Sequence, residues 1–469
     1  MVFSSIVFLF LFLPIVLTIY FVVLKRRKAR NLLLLATSLF FYAWGDPVHV
    51  LLLIGSVFGN YLFGLWIDHH RSKGGKSAAI MTVMLLFNLG ILAVFKYLGF
   101  AVSIWNDVFA LQLQVPEIVL PIGISFFTFQ GISYVIDIYR GEAEALRNPL
   151  DVALYIAFFP QLVAGPIIRF RTIAEQIYHR NENEHDIAAG IARFIEGVAM
   201  KVLLANQFSI VADKAFAYEG AGLSVVFAWI GAIAYALQIY FDFAGYSSMA
   251  IGLARIFGFH FPENFNSPYI SRSVSEFWRR WHISLGTWFR DYVYIPLGGS
   301  RCAGWKVIRN LFVVWLLTGL WHGANWTFVI WGLYFFVLIG IEKLFKLETF
   351  FAAHRWVGHI YLILAILFGW VLFRATSITH AIQYVSSMFG LNDNVIVGDT
   401  AQLYLTEYLI LFVVGIICCF PIRAYVTKKH LFEGSKKPLV YGLLLTFVFV
   451  LSIAHLVKGS YNPFIYFNF

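Results

Sequence analysis

Ala78-Ala79-Ile80-Met81-Thr82-Val83-Met84-Leu85-Leu86-Phe87-Asn88-Leu89-Gly90-Ile91-Leu92-Ala93-Val94-Phe95 carries no charge over eighteen residues. A helix of that length rises about 27 Å, close to the thickness of a hydrocarbon layer, so this stretch reads as a membrane span. Working outward, similar runs recur at Ile6 to Leu24, Val48 to Ile67, Leu223 to Tyr240, Thr327 to Ile341, Tyr361 to Leu372, Leu403 to Phe420 and Leu439 to Leu456. Shorter or more polar runs lie at Leu32 to Trp44, Ile118 to Val135, Val152 to Val163, Ile187 to Leu204 and Leu311 to Leu320. Only 13% of the 469 residues are charged and 60% are hydrophobic, whereas a soluble domain carries about 25% charged residues. The expectation is an all-α, polytopic integral membrane protein with roughly ten to thirteen spans, some of them short or re-entrant, in a single domain over residues 1–469.

The formal charge of +10 is spread over short clusters between apolar runs, which excludes a nucleic-acid face and marks cytoplasmic loops instead. Lys25 to Arg30, Arg71 to Lys76, Arg301 to Arg309, Lys343 to Arg355 and Lys428 to Lys437 all read as inside, with an even number of spans between neighbours where the count is clear. That parity places both termini outside the cytoplasm. Met1 to Leu24 has its basic residues after the apolar stretch and no small-residue cleavage site, so it reads as an uncleaved first span. Cys302, Cys418 and Cys419 make neither a metal-ligand spacing nor an even disulfide set.

Phe261 to Ser300 lies between spans yet holds Glu263, Glu276, Arg279, Arg280, His282, Arg290 and Asp291. Such a stretch lies at the interface or folds back into the protein. An ionisable group inside a span costs about 2.5 to 3.5 kcal/mol and therefore marks a site or a partner. In Leu320-Trp321-His322-Gly323-Ala324-Asn325-Trp326 an imidazole falls between two apolar runs, and its ordinary pKa of about 6.5 suits it to take and return a proton. If the stretch is helical, Asn325 shares a face with His322 and its amide can orient the ring; the alternative is a structural histidine hydrogen-bonded to a neighbouring helix. In Phe277-Trp278-Arg279-Arg280-Trp281-His282, the arginines either meet the phosphates of an acyl donor or lie on anionic lipid. Asp242 follows an uncharged span and precedes Gly245; it either caps a helix beginning near Ser247 or lines the site. Phe159-Pro160-Gln161-Leu162-Val163-Ala164-Gly165-Pro166 breaks a helix at membrane depth. Arg193, Glu196 and Lys201 are spaced to pair within one helix, and Gly55 with Gly59 reads as a packing signal.

Met1-Val2-Phe3-Ser4-Ser5, Phe41-Tyr42-Ala43-Trp44, Leu120-Pro121-Ile122-Gly123-Ile124-Ser125-Phe126, Ala164-Gly165-Pro166, Tyr240-Phe241-Asp242-Phe243-Ala244-Gly245-Tyr246-Ser247, Glu276 to His282 and Gly319 to Ala324 resemble the membrane-bound O-acyltransferases, in the branch of bacterial alginate O-acetyltransferases. The resemblance covers about residues 1 to 375; beyond it only hydropathy and single features such as Phe373-Arg374-Ala375 are similar. It implies surrounding helices around a central tunnel, with His322 as the family's near-universal histidine and His282 as a second histidine of this branch. Trp321, Asn325 and Asp242 remain candidate supporting residues, and Arg279 with Arg280 candidate contacts to the phosphates of the donor. No resident cofactor or metal is implied. The implied reaction takes an acetyl group from a cytoplasmic thioester, acetyl-CoA, to an exported or cell-wall polysaccharide. An extracytoplasmic transferase partner takes part, and the implied setting is a bacterial inner membrane. Two rivals remain: D-alanyl transfer to teichoic acid from a carrier protein, and a transporter, which the absence of two related halves argues against.

Overall fold

A computed structural model describes residues 1–75, 77–218, 222–422, 437–459 and 462. Lys76 and residues 428–436 of the expected basic clusters lie outside the described residues. Helix follows helix and no strand occurs among the described residues: α1 (Phe8–Val23), α2 (Arg27–Gly45), α3 (Val50–Ser72), α4 (Ala78–Phe109), α5 (Ile124–Arg140), α6 (Pro149–Ala157), α7 (Phe159–Leu162), α8 (Phe170–Tyr178) and α9 (Glu184–Ala199). A wider π-helical stretch, Met200–Ala205, joins α9 to α10 (Asn206–Phe216). Then come α11 (Val225–Ile256), α12 (Val274–Arg280), α13 (Ile283–Phe289), α14 (Gly304–His322), α15 (Trp326–Leu344), α16 (Leu347–Ala353), α17 (Arg355–Arg374), α18 (Ile378–Met388), α19 (Asp399–Cys418) and α20 (Lys437–Val457).

Seven of the described helices are long and apolar enough to cross a membrane: α3, α4, α11, α15, α17, α19 and α20. The other apolar runs fold into shorter helices, such as α5 with 17 residues and α6 with nine, or into helices carrying charge, such as α14 with Lys306 and Arg309. Backbone groups in water-free surroundings must be paired within the segment, and this is why the apolar runs are mostly helix.

The chain falls into two compact units, Met1–Phe194 with Ser247–Pro262 and Ile195–Tyr246 with Glu263–Phe469. In the first unit, Asn60 of α3 and Asn88 of α4 exchange amide hydrogen bonds at 3.0 and 2.9 Å, the interhelical polar contact that lipid-embedded helices use in place of hydrophobic collapse. Gly59 packs against Phe87, while Gly55 meets nothing within 4 Å, so only one of the expected pair serves packing. The polar loop before α9 is tied down by Glu182, which receives Arg27, Arg30 and the Tyr20 hydroxyl. As expected, the helix breaks at Phe158 to Ile168, and the loose backbone is buried and hydrogen-bonded: the Tyr155 hydroxyl donates to Ile168 O at 2.8 Å and Ser38 Oγ accepts the Phe159 amide at 2.9 Å.

The second unit holds a dense aromatic core, built from Tyr240, Trp281, Trp315, Trp331, Phe335, Trp370 and Phe373 among others. One sequence expectation changes here. α11 runs unbroken through Gly245, so Asp242 caps nothing. Gly245 is needed because a Cβ there would lie 2.9 Å from Gly197 O and 3.1 Å from Lys201 N. Lys201 Nζ reaches Asp242 Oδ1 at 2.7 Å, and Glu196 accepts from the Tyr441 hydroxyl at 2.8 Å.

Candidate active site

α14 and α15 form an antiparallel pair whose backbones nearly touch. A Cβ built on Gly319 would lie 2.4 Å from Phe328 O, and one on Gly332 2.4 Å from Trp315 O. Only glycine permits that approach. It brings the last residue of α14, His322, beside Trp331 of α15. The His322 ring is 5% exposed and stands nearly perpendicular to Trp331 (4.9 Å between centroids, 80°), to Phe373 (5.1 Å, 77°) and to Trp321 (4.9 Å, 81°). Trp331 is fully buried, and its Nε1 has no hydrogen-bond partner among the described residues; the indole nitrogen of Trp278, whose ring centroid lies 5.5 Å from that of Trp331, has none either. A buried N–H left unsatisfied costs about 1–3 kcal/mol, so these donors are suited to a polar atom of a bound molecule.

The polar stretch from Glu263 folds back into this unit. α12 hangs from Glu342, a buried carboxylate of α15, which accepts the amides of Val274 at 2.6 Å and Ser275 at 2.8 Å and the Ser275 hydroxyl at 2.6 Å. Ser273 caps the same helix end by accepting the Glu276 amide at 3.0 Å. From there the chain passes Trp278, which packs on Trp315, Trp331 and Phe335, and Trp281, which packs on Trp370, and arrives at His282. Arg279 pairs with Glu348 at 2.6 Å and Arg280 with Glu276 at 3.0 Å. With Arg272 they line an open cavity of about 440 Å³, three guanidinium groups against two carboxylates. Burial alone would raise the Glu276 carboxyl; the Arg272 amide and the Arg280 and Arg272 guanidinium groups outweigh it and hold that carboxyl below its ordinary value.

His282 is 1% exposed. Its ring lies 4.6 Å from Phe243 and 5.9 Å from Trp321, so one indole, Trp321, touches both imidazoles. The backbone at His282 is left-handed (φ 44°), a strained state that surrounding contacts must hold. Asn325 is elsewhere in role: the helix ends at His322, and Asn325 caps α15 by accepting the Thr327 amide at 3.1 Å while its Nδ2 faces Thr376 O at 3.4 Å. It shares no helix face with His322 and does not orient that ring. Asp242 sits on α11 one residue before Phe243, locked to Lys201. Sequence reasoning passed over Asn264, Trp331 and Glu342, all of which hold this region. An amide or carboxylate contacts its partner from 18 or 68 residues away, which no local spacing reveals; the one available signal was a carboxylate directly after the apolar run Thr327 to Ile341. Among the described residues no set of three His, Cys, Asp or Glu side chains gathers to hold a metal.

The model of the membrane-bound O-acyltransferase family matches residues 124–382, which takes in α5 to α17 and both histidines. The chain is similar to the probable alginate O-acetylase AlgI of Azotobacter vinelandii, 39% identical over 504 residues with the whole of both chains covered. It is 32% identical over 521 residues to the peptidoglycan O-acetyltransferase of Helicobacter pylori, covering 100% of this chain and 98% of that one. To the teichoic acid D-alanyltransferase of Bacillus subtilis it is 30% identical over 285 residues, 55% of this chain and 70% of the other. With its multi-pass helices and these relatives, the chain belongs to the membrane-bound O-acyltransferase family and is an acyltransferase of the membrane.

Proposed function

We propose that this chain takes an acetyl group from cytoplasmic acetyl-CoA to a hydroxyl of an exported or cell-wall polysaccharide, in a bacterial inner membrane and together with an extracytoplasmic transferase. The observation that carries the reading is the position of His322. α14 begins inside the basic cluster Arg301 to Arg309, read as cytoplasmic, and ends on His322; at a rise of 1.5 Å per residue the imidazole lies about 20 Å along the helix from Arg309, which supports a site well away from that cluster. The full-length similarity to proteins named for acetyl transfer to alginate and peptidoglycan supports acetyl over D-alanyl.

In this mechanism His322 removes the proton of the acceptor hydroxyl, and the oxygen attacks the thioester carbonyl carbon. The carbon–sulfur bond then breaks, and the proton passes from the imidazolium to the leaving thiolate. The indole N–H of Trp331, whose ring packs on His322 and which has no hydrogen-bond partner among the described residues, donates to the carbonyl oxygen as charge develops on it. Arg279 and Arg280, with Arg272, receive the phosphates of the donor by exchanging their carboxylate partners. Trp321 keeps the two imidazoles apart.

His322→Ala is expected to accumulate and fold as the unsubstituted chain does while surface polysaccharide loses its acetyl groups. Unchanged acetyl content in cells carrying that variant would remove His322 from the chemistry. Membranes given labelled acetyl-CoA in one arm and a carrier-protein D-alanyl thioester in the other should transfer label only in the first.

A further inference from the structure

Asn264 is fully buried and gathers the start of α13. Its backbone carbonyl accepts the Ile283 amide at 2.9 Å. Its Oδ1 accepts the Ser284 amide at 3.1 Å and the Ser284 hydroxyl at 2.8 Å, and it lies 3.2 Å from His282 Nδ1. The orientation of a side-chain amide is normally ambiguous, but a backbone N–H only donates, so the atom facing Ser284 N has to be oxygen. That oxygen has no hydrogen to give. The hydrogen between it and His282 therefore belongs to Nδ1, and a neutral imidazole with its proton on Nδ1 presents a bare lone pair at Nε2. His282 Nε2 is buried and has no hydrogen-bond partner among the described residues.

We propose that Asn264 is a positioning residue that holds His282 in its Nδ1–H form, so that Nε2 accepts a hydrogen from a ligand O–H, S–H or N–H group and cannot serve an acyl carbonyl oxygen. The left-handed backbone at His282 is the strained element that this clamp sustains. The ring stays neutral because burial among Phe243 and Trp321 pushes its pKa down to about 3. The two histidines of the site then differ in kind: oxyanion donation falls to groups such as the Trp331 indole, and His282 recognises hydrogen. The inference rests on the acyl-transfer reading only in taking His282 as part of that site.

The test uses the full chain in lipid nanodiscs with ring-15N histidine, the His282 signals being identified by their loss in His282→Gln. Nδ1 protonated and Nε2 bare is the expected result, and the opposite form overturns the proposal. Asn264→Leu, measured on the folded fraction from gel filtration, should give a mixed or inverted ring and lower kcat/KM with labelled acetyl-CoA by about 10²-fold, the lower end of what proton-transfer catalysis contributes. A folded Asn264→Leu that keeps the Nδ1–H ring and unchanged kinetics overturns the positioning role. If that variant does not fold, Ser284→Ala leaves the Asn264–His282 contact alone and should retain the Nδ1–H ring, its inversion counting against Asn264 as the cause. Should the unsubstituted chain transfer no label from acetyl-CoA, the functional reading fails while the nitrogen spectrum still decides the ring.

Discussion

Lys201 and Asp242 meet with 4% and 2% of their side chains exposed. Removing one partner of a buried pair leaves an uncompensated charge at a cost of about 3–5 kcal/mol, whereas replacing both with apolar groups is often neutral. Lys201→Met should therefore reduce the yield of folded protein sharply, and Lys201→Met with Asp242→Leu should restore it, as read by gel filtration of detergent extracts at rising temperature. His282 yields a second expectation, in pH. Its folded pKa is depressed to about 3, so between about pH 6.5 and that value the unfolded chain binds a proton that the folded ring refuses. Stability is then full above pH 6.5 and falls as pH is lowered through that window. The melting temperature should drop from pH 7 to pH 5 by more in the unsubstituted chain than in His282→Gln. At this scale the sequence marked His322, His282 and Asp242 because polar groups are costly in apolar surroundings. It left their partners unnamed, because Lys201 lies 41 positions from Asp242 and Asn264 lies 18 from His282.

The α14–α15 pair depends on Gly319 and Gly332. A methyl group on Gly319 would overlap Phe328 O, and backbone cannot yield as a side-chain tip can, so Gly319→Ala should push the helices apart and move His322 from Trp331. Loss of most transfer activity with only partial loss of folded protein is the expected outcome, measured as label transferred per amount of purified chain. Trp331→Phe keeps most of the ring volume and removes the N–H; a fall of about 10²-fold or more in kcat with little change in KM is expected if that donor serves the transition state. Glu342 is of a different sort: Glu342→Leu strips the start of α12 of the acceptor for three donors, and each buried donor left bare costs about 1–3 kcal/mol. That variant should fail to fold. The two apolar runs around His322 are legible as a helical pair from hydropathy, but the break at Gly323 is not, and a helix continued through it would put Asn325 on the histidine's face.

For the molecule as a whole, apolar runs of about 20 residues leave the chain little choice, because a backbone in hydrocarbon has no partner but itself. This is why runs such as Val48 to Ile67 and Ala78 to Phe95 were readable as helices, although α4 continues to Phe109, and Leu223 to Tyr240 continues to Ile256 past a glycine that looked like a stop. The charge clusters predict orientation: in intact cells a membrane-impermeant maleimide should label Gln112→Cys, beyond α4, and leave Ser72→Cys, at the end of α3, unlabelled until the membrane is opened. The crossing at Gly319 and Gly332 carries a lesson for anyone wishing to recast such a catalyst for bulkier acyl groups. Main-chain atoms already abut there, so helix spacing is no dial to turn; room has to be carved from the indoles and phenyl rings that crowd His322, one ring at a time.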